Sequence, residues 1–152
     1  MTDAAPKLQA LIDDFAFVER ADKMQLLVEY ADRFGEVSVP ERIATRPYPE
    51  ENYVTRCESD AYVWAEDRDD GTQQYYFAVE NPQGISAKAW AVIMGESLSG
   101  EPLETVANTD PQVVFEVFGK DVSMGKGQGL MGMLDHVQYY ARRKLAEERA
   151  RA

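Results

Sequence analysis

The chain has 152 residues, 45% hydrophobic and 11% aromatic, enough to bury the core of one domain and too short for two. Its 27 acidic and 16 basic residues leave a net charge of −11, which argues against nucleic acid as a partner, because neutralising phosphates needs a basic face. No stretch reaches the roughly 18 apolar residues of a membrane span, residues 1–10 carry no signal-peptide pattern, and the single Cys57 can close no internal disulfide, so a protein of the reducing cytoplasm without a membrane partner is expected.

Leu8, Leu11, Ile12 and Phe15 recur at helical spacing, which predicts an amphipathic helix with Pro6 in its first turn. Leu27, Tyr30, Ala31 and Phe34 repeat the pattern in a second helix that Gly35 should end. From Val37 to Pro49 the period is lost and Pro40, Pro47 and Pro49 intervene, so an irregular, extended loop is expected. Tyr62–Ala65 reads as a strand and "RDDG" (68–71) as a turn. Tyr75, Phe77 and Val79 then alternate with polar and small residues as a second strand, antiparallel to the first. A further strand is predicted around Tyr53–Thr55, for about three in all, with Cys57 in the connection after it.

Residues 86–98 are apolar almost all round, the profile of a central buried helix. Pro102 should open a short helix, and Asp110–Pro111 another that closes near Gly119. After a glycine-rich "SMGKGQG" loop, Leu130, Met133, Leu134, Val137 and Ala141 mark one face of the last helix, whose basic end "ARRKLAEERARA" reads as solvated. Helices, hairpin strands, then helices predict a single α+β domain over 1–152, with helices on a small antiparallel sheet.

Most sites suggested by short motifs fail on chemistry. "GKGQG" lacks the hydroxyl residue that comes after the lysine of a phosphate loop, and "EDRDDG" lacks the spacing and the later glutamate of a calcium loop. One cysteine and one histidine cannot close a zinc site. His136 reads as a hydrogen-bonded helical histidine, and no local signature supports a Cys57–His136 catalytic pair.

Cys57 remains. A lone thiol can take a sulfur atom from a partner's persulfide by the displacement that underlies thiol–disulfide exchange, with no metal and no histidine. A cation beside the sulfur favours the thiolate, and Arg56 could supply it; Glu58 opposes it. A buried spectator thiol is the competing reading.

The stretch "VTRCESDAYVW" (54–64) resembles the active-cysteine region of the SufE family of sulfur acceptors, whose pattern is a hydrophobic residue, Gly-Cys-Gln-Ser, then an apolar run ending in Trp. Val54, Cys57, Ser59, Val63 and Trp64 match. "LIDDF", "VPERIATRPYPEENYV", "AKAWAVIMGESLSGEPLETV" and "SMGKGQGLMGML" resemble further family segments in the same order. The resemblance implies an α+β fold similar to the scaffold IscU. It implies that persulfide sulfur arrives from a SufS-type cysteine desulfurase, whose pyridoxal phosphate stays in that partner, and leaves for a downstream iron–sulfur scaffold. The protein itself would need no cofactor or metal and would be a monomer or weak dimer. By position Cys57 would carry the persulfide, with Lys126 (an Arg in the family) or Arg56 steadying the anion; Gln128, Gly129 and Leu130 match their counterparts. Arg56 for Gly, Glu58 for Gln, Lys126 for Arg, and the absence of an acidic residue over 81–85 are departures from the family pattern. The alternative function is a regulatory module that binds a desulfurase or another enzyme, with Cys57 incidental.

Overall fold

Alternating side chains over 61–79 fold into one antiparallel hairpin in the computed structural model, which describes residues 5–55, 57, 59–119, 122 and 124–152, with Met124 as backbone alone. Strand β1 (Ala61–Asp67) pairs with β2 (Gln73–Val79), Ala61 opposite Val79 and Val63 opposite Phe77. The turn between them is stabilised at Asp70, whose Oδ1 accepts from the Thr72 N–H at 3.0 Å and the Thr72 hydroxyl at 2.6 Å, and Gly71 takes the left-handed φ of 87° there.

Among the described residues the sheet has two strands where about three were expected. Tyr53 makes one isolated bridge to Tyr62, and Ser38 another to Phe77. Between these bridges Pro40, Pro47 and Pro49 remove ladder donors, so neither contact grows into a strand. The proline-rich segment instead covers the outer face of the hairpin. Tyr48 packs its ring 5.0 Å from Trp64 and 5.1 Å from Tyr62. Arg42 pairs with Glu66, and Arg46 with Glu80 at 2.7 Å. Trp64 is buried by this cover.

Helices α1 (Pro6–Ala16), α2 (Arg20–Asp32), α3 (Ile85–Leu98), α4 (Leu103–Ala107), α5 (Val113–Phe118) and α6 (Met124–Arg151) complete the α+β fold. Apart from Ile85, Ser86, Lys88 and Glu96, every residue of α3 is buried, so it contacts α1, α2 and α6 as well as β2. Trp90, fully buried, donates its indole N–H to the Leu130 carbonyl of α6 at 2.9 Å and meets the Phe118 ring edge-on at 5.8 Å. Gly95 admits the strand-like segment beside β2: a Cβ there would lie 2.5 Å from Val37 Cγ1.

Three local expectations change. Helix α2 ends at Asp32, and Phe34–Glu36 forms a 3-10 turn that contains Gly35. The Arg33 N–H reaches the Tyr30 carbonyl at 3.0 Å, so the helix tightens without needing a left-handed glycine. Asp110 caps a turn, accepting the Gln112 N–H at 2.9 Å, and α5 starts only at Val113. The glycines of "MGKGQG" are helical from Met124 onward rather than a loop. A Cβ at Gly127 would lie 3.4 Å from the Phe115 ring, an ordinary packing contact.

Candidate functional site

The hairpin's own geometry creates the site. Antiparallel pairing sets the end of β2 beside the start of β1, so the segment before Ala61 must neighbour the segment after Val79. Cys57 lies in the first of these segments and the N-terminus of α3 in the second. Two backbone bonds clasp them together: the Glu80 N–H donates to the Asp60 carbonyl and the Asn81 N–H to the Ser59 carbonyl, both at 3.2 Å.

Cys57 sits in a tight loop, not in a helix or strand. Its N–H donates to the Val54 carbonyl at 3.2 Å, and the Asp60 N–H donates to the Cys57 carbonyl at 3.4 Å. Asp60 turns the chain with φ 50°, a left-handed conformation that Asp tolerates. The Tyr53 hydroxyl holds it there by donating to Asp60 Oδ1 at 2.9 Å. That hydrogen bond, more than burial, raises the Tyr53 pKa above the ordinary phenol value, because ionisation would abolish the donor. Cys57 is 8% exposed, more sheltered than a loop thiol at the molecular edge.

A cavity of about 60 Å³ opens beside the thiol. Cys57 and Ser59 line one wall, Gln83 to Ala87 at the start of α3 a second, and Lys126, Gly129 and Leu130 at the start of α6 a third. The N-terminal turns of α3 and α6 therefore line one cavity with the thiol. Each helix places the positive end of its dipole on that side. Ser59 comes so close to Gly84 that a Cβ on the glycine would lie 2.9 Å from Ser59 Oγ and 3.0 Å from both Ser59 Cβ and Val79 Cγ1.

Of the site residues expected from sequence, Cys57 and Lys126 line the same cavity. Arg56 and Glu58 lie outside the described residues. Gln128 is exposed, whereas Gly129 and Leu130 are buried at the cavity wall. His136 lines a different cavity, with Glu51, Tyr139 and Arg143, and is not paired with Cys57. Among the described residues no group of three or more His, Cys, Asp or Glu could hold a metal ion. The contribution of Ser59, Gln83 and Ser86 was missed. Its signal was the "NPQG" turn linking the second strand to the buried helix, which forces the helix start back toward the first strand.

The SufE model, an Fe-S metabolism associated domain, matches residues 9–141. The chain belongs to the SufE family. Membership gives this SufE-family protein a role in iron–sulfur metabolism, with enzymes of that metabolism as its partners. Among solved structures it is similar to a hypothetical protein from Thermus thermophilus determined in solution, at 27% identity and a TM-score of 0.70, over 94% of this chain and 98% of that one. No curated protein sequence matches. No helix among the described residues is long and apolar enough to cross a membrane.

Proposed function

We propose that Cys57 accepts a sulfur atom from the persulfide of a SufS-type cysteine desulfurase and passes it on for iron–sulfur cluster assembly. One observation carries the reading: the thiol shares its cavity with Lys126 and with the N-terminal ends of α3 and α6, an arrangement that favours an anionic sulfur.

The step is a displacement. The Cys57 thiolate attacks the terminal sulfur of the donor persulfide, a new S–S bond forms, and the donor's own S–S bond breaks. The donor cysteine leaves as a thiolate, so no net oxidation occurs. The product is a Cys57 persulfide, and as its terminal proton passes to the departing donor thiolate the charge comes to rest on the terminal sulfur. A cavity of about 60 Å³ has room for that sulfur, being several times the space one water needs. Lys126 and the backbone N–H groups would steady it, as they would any anion at a helix N-terminus. Pyridoxal phosphate chemistry belongs to the desulfurase; this chain supplies the acceptor, its shelter and its counter-charge.

Cys57 is only 8% exposed, which limits the access of another protein's persulfide to its thiol. The same burial favours the second reading, a regulatory module with an incidental thiol. Incubation with a desulfurase and cysteine, followed by mass measurement, separates the two: a relay protein gains one sulfur at Cys57, and a regulator binds without gaining any.

A further inference from the structure

Three hydrogen bonds meet at Asp60, where the chain turns between Cys57 and β1. Its N–H donates to the Cys57 carbonyl at 3.4 Å, its carbonyl accepts the Glu80 N–H at 3.2 Å, and its Oδ1 accepts the Tyr53 hydroxyl at 2.9 Å. The left-handed φ of 50° costs a non-glycine residue energy and persists where its surroundings fix it. Tyr53 is itself anchored. Its ring meets Tyr62 edge-on at 5.3 Å, and its backbone bridges Tyr62 of β1. The residue before it, the buried Asn52, donates to the Val63 carbonyl at 2.8 Å and to the Tyr140 hydroxyl of α6 at 2.9 Å. A chain of contacts therefore runs from α6 through Asn52 and Tyr53 to Asp60, one hydrogen bond from the Cys57 backbone.

We propose that Tyr53 and Asp60 are positioning residues for sulfur transfer: their side-chain hydrogen bond latches the turn at Asp60 and so sets how far the Cys57 sulfur, or the persulfide formed on it, is open to small thiols and thiol reagents. The inference rests on the sulfur-relay reading for the persulfide alone; the latch on the bare thiol stands without it. A carrier must keep its cargo from stray thiols. A thiolate that attacks the terminal sulfur takes it away as a new persulfide and releases Cys57 as a thiolate. Cys57 is 8% exposed, so a reagent reacts faster with the fraction of molecules in which the turn has opened locally, and each bond lost from the latch raises that fraction. The Tyr53 hydroxyl is the group to remove. Tyr53→Phe keeps the ring on Tyr62 and takes away only the donor to Asp60.

The test is the rate at which an aromatic disulfide reagent labels Cys57 in the whole chain, measured beside the urea midpoint of each variant. Tyr53→Phe should label about fivefold faster, the effect of one exposed hydrogen bond. Asp60→Gly suits the left-handed φ but loses the acceptor, and should match it. Asp60→Asn keeps an oxygen to accept and tolerates the same φ, so it should label close to the parent rate. The double variant Tyr53→Phe/Asp60→Gly should be no faster than the quicker single variant, because all three lose the same bond. Once a SufS-type desulfurase and cysteine have loaded the persulfide, Tyr53→Phe should lose its sulfur to dithiothreitol about fivefold faster than the parent. Parent labelling rates in both single variants overturn the latch, as does additive acceleration in the double variant, an Asp60→Asn rate equal to that of Asp60→Gly, or an acceleration matched by an equal loss of global stability. Faster labelling with an unchanged persulfide lifetime overturns its part in the relay. If the parent protein takes up no sulfur while the labelling rates change as stated, the relay reading falls and the latch stands. If it takes up sulfur and the variants label at the parent rate, the latch falls alone.

Discussion

The Trp90 indole donates to the Leu130 carbonyl at 2.9 Å, tying α3 to α6 near the ends that converge on Cys57. Removing the indole takes away a fully buried ring and this strut together. Trp90→Ala should cost about 3–5 kcal/mol, as large-to-small core changes do. Chemical denaturation checks it; a loss under about 1 kcal/mol would mean that α3 is not the centre of the core.

Gly84 is the point where the cysteine loop rests on the α3 N-terminus. Its φ of −78° suits any residue, so the constraint is space alone. A methyl group at 2.9 Å from Ser59 Oγ must push either the loop or the strand residue Val79, and the loop has fewer bonds to lose. Gly84→Ala should therefore expose Cys57 and speed its reaction with an aromatic disulfide reagent about tenfold, at a stability cost of about 1–3 kcal/mol. An unchanged thiol reaction rate would show that the loop does not rest on this contact.

Lys126 is exposed at the third position of α6, so its loss should leave the fold intact. Lys126→Ala should slow sulfur acceptance about fivefold, the effect of ~1 kcal/mol from one solvated charge. Acceptance at the parent rate across a range of desulfurase concentrations would make it a surface lysine only.

His136 provides the pH dependence. Burial pushes its pKa below the ordinary value of 6.5, against the opposing pull of a hydrogen bond to the Glu51 backbone. Its Nε2 lies 3.2 Å from the Tyr140 hydroxyl, which also accepts from Asn52 Nδ2 at 2.9 Å. Glu51, Asp135, Arg142 and Arg143 face the same cavity. A folded-state pKa below the unfolded one means that the unfolded chain binds protons first. The histidine's contribution is thus present above 6.5 and lost as pH falls through the lowered folded value. Urea midpoints measured from about pH 7.5 to about pH 5 should fall in the parent protein and fall less steeply in His136→Gln. Identical slopes would remove His136 as the cause.

The hairpin, the buried helix and the cysteine loop were legible because each obeys a local rule. Period-two alternation places Tyr75 and Phe77, an apolar run places Trp90, and a charged interruption marks Cys57 as lying outside a strand. The glycines around Lys126 misled for a physical reason. Their composition signals a flexible loop, but propensity is a weak prior that tertiary context overrides, and the segment opens α6. The missing third strand is a matter of tertiary context: Tyr53 has strand propensity, yet it makes only one bridge before the chain turns to present Cys57.

The central claim is that Cys57 carries sulfur, and the most direct measurement is the intact mass of the protein after incubation with a SufS-type desulfurase and cysteine. The account predicts a gain of one sulfur atom, mapped to Cys57 by peptide analysis, lost on reduction and absent in Cys57→Ser although that variant still binds the desulfurase. A parent protein that binds the desulfurase and gains no sulfur, or a Cys57→Ser variant that gains as much, would contradict it.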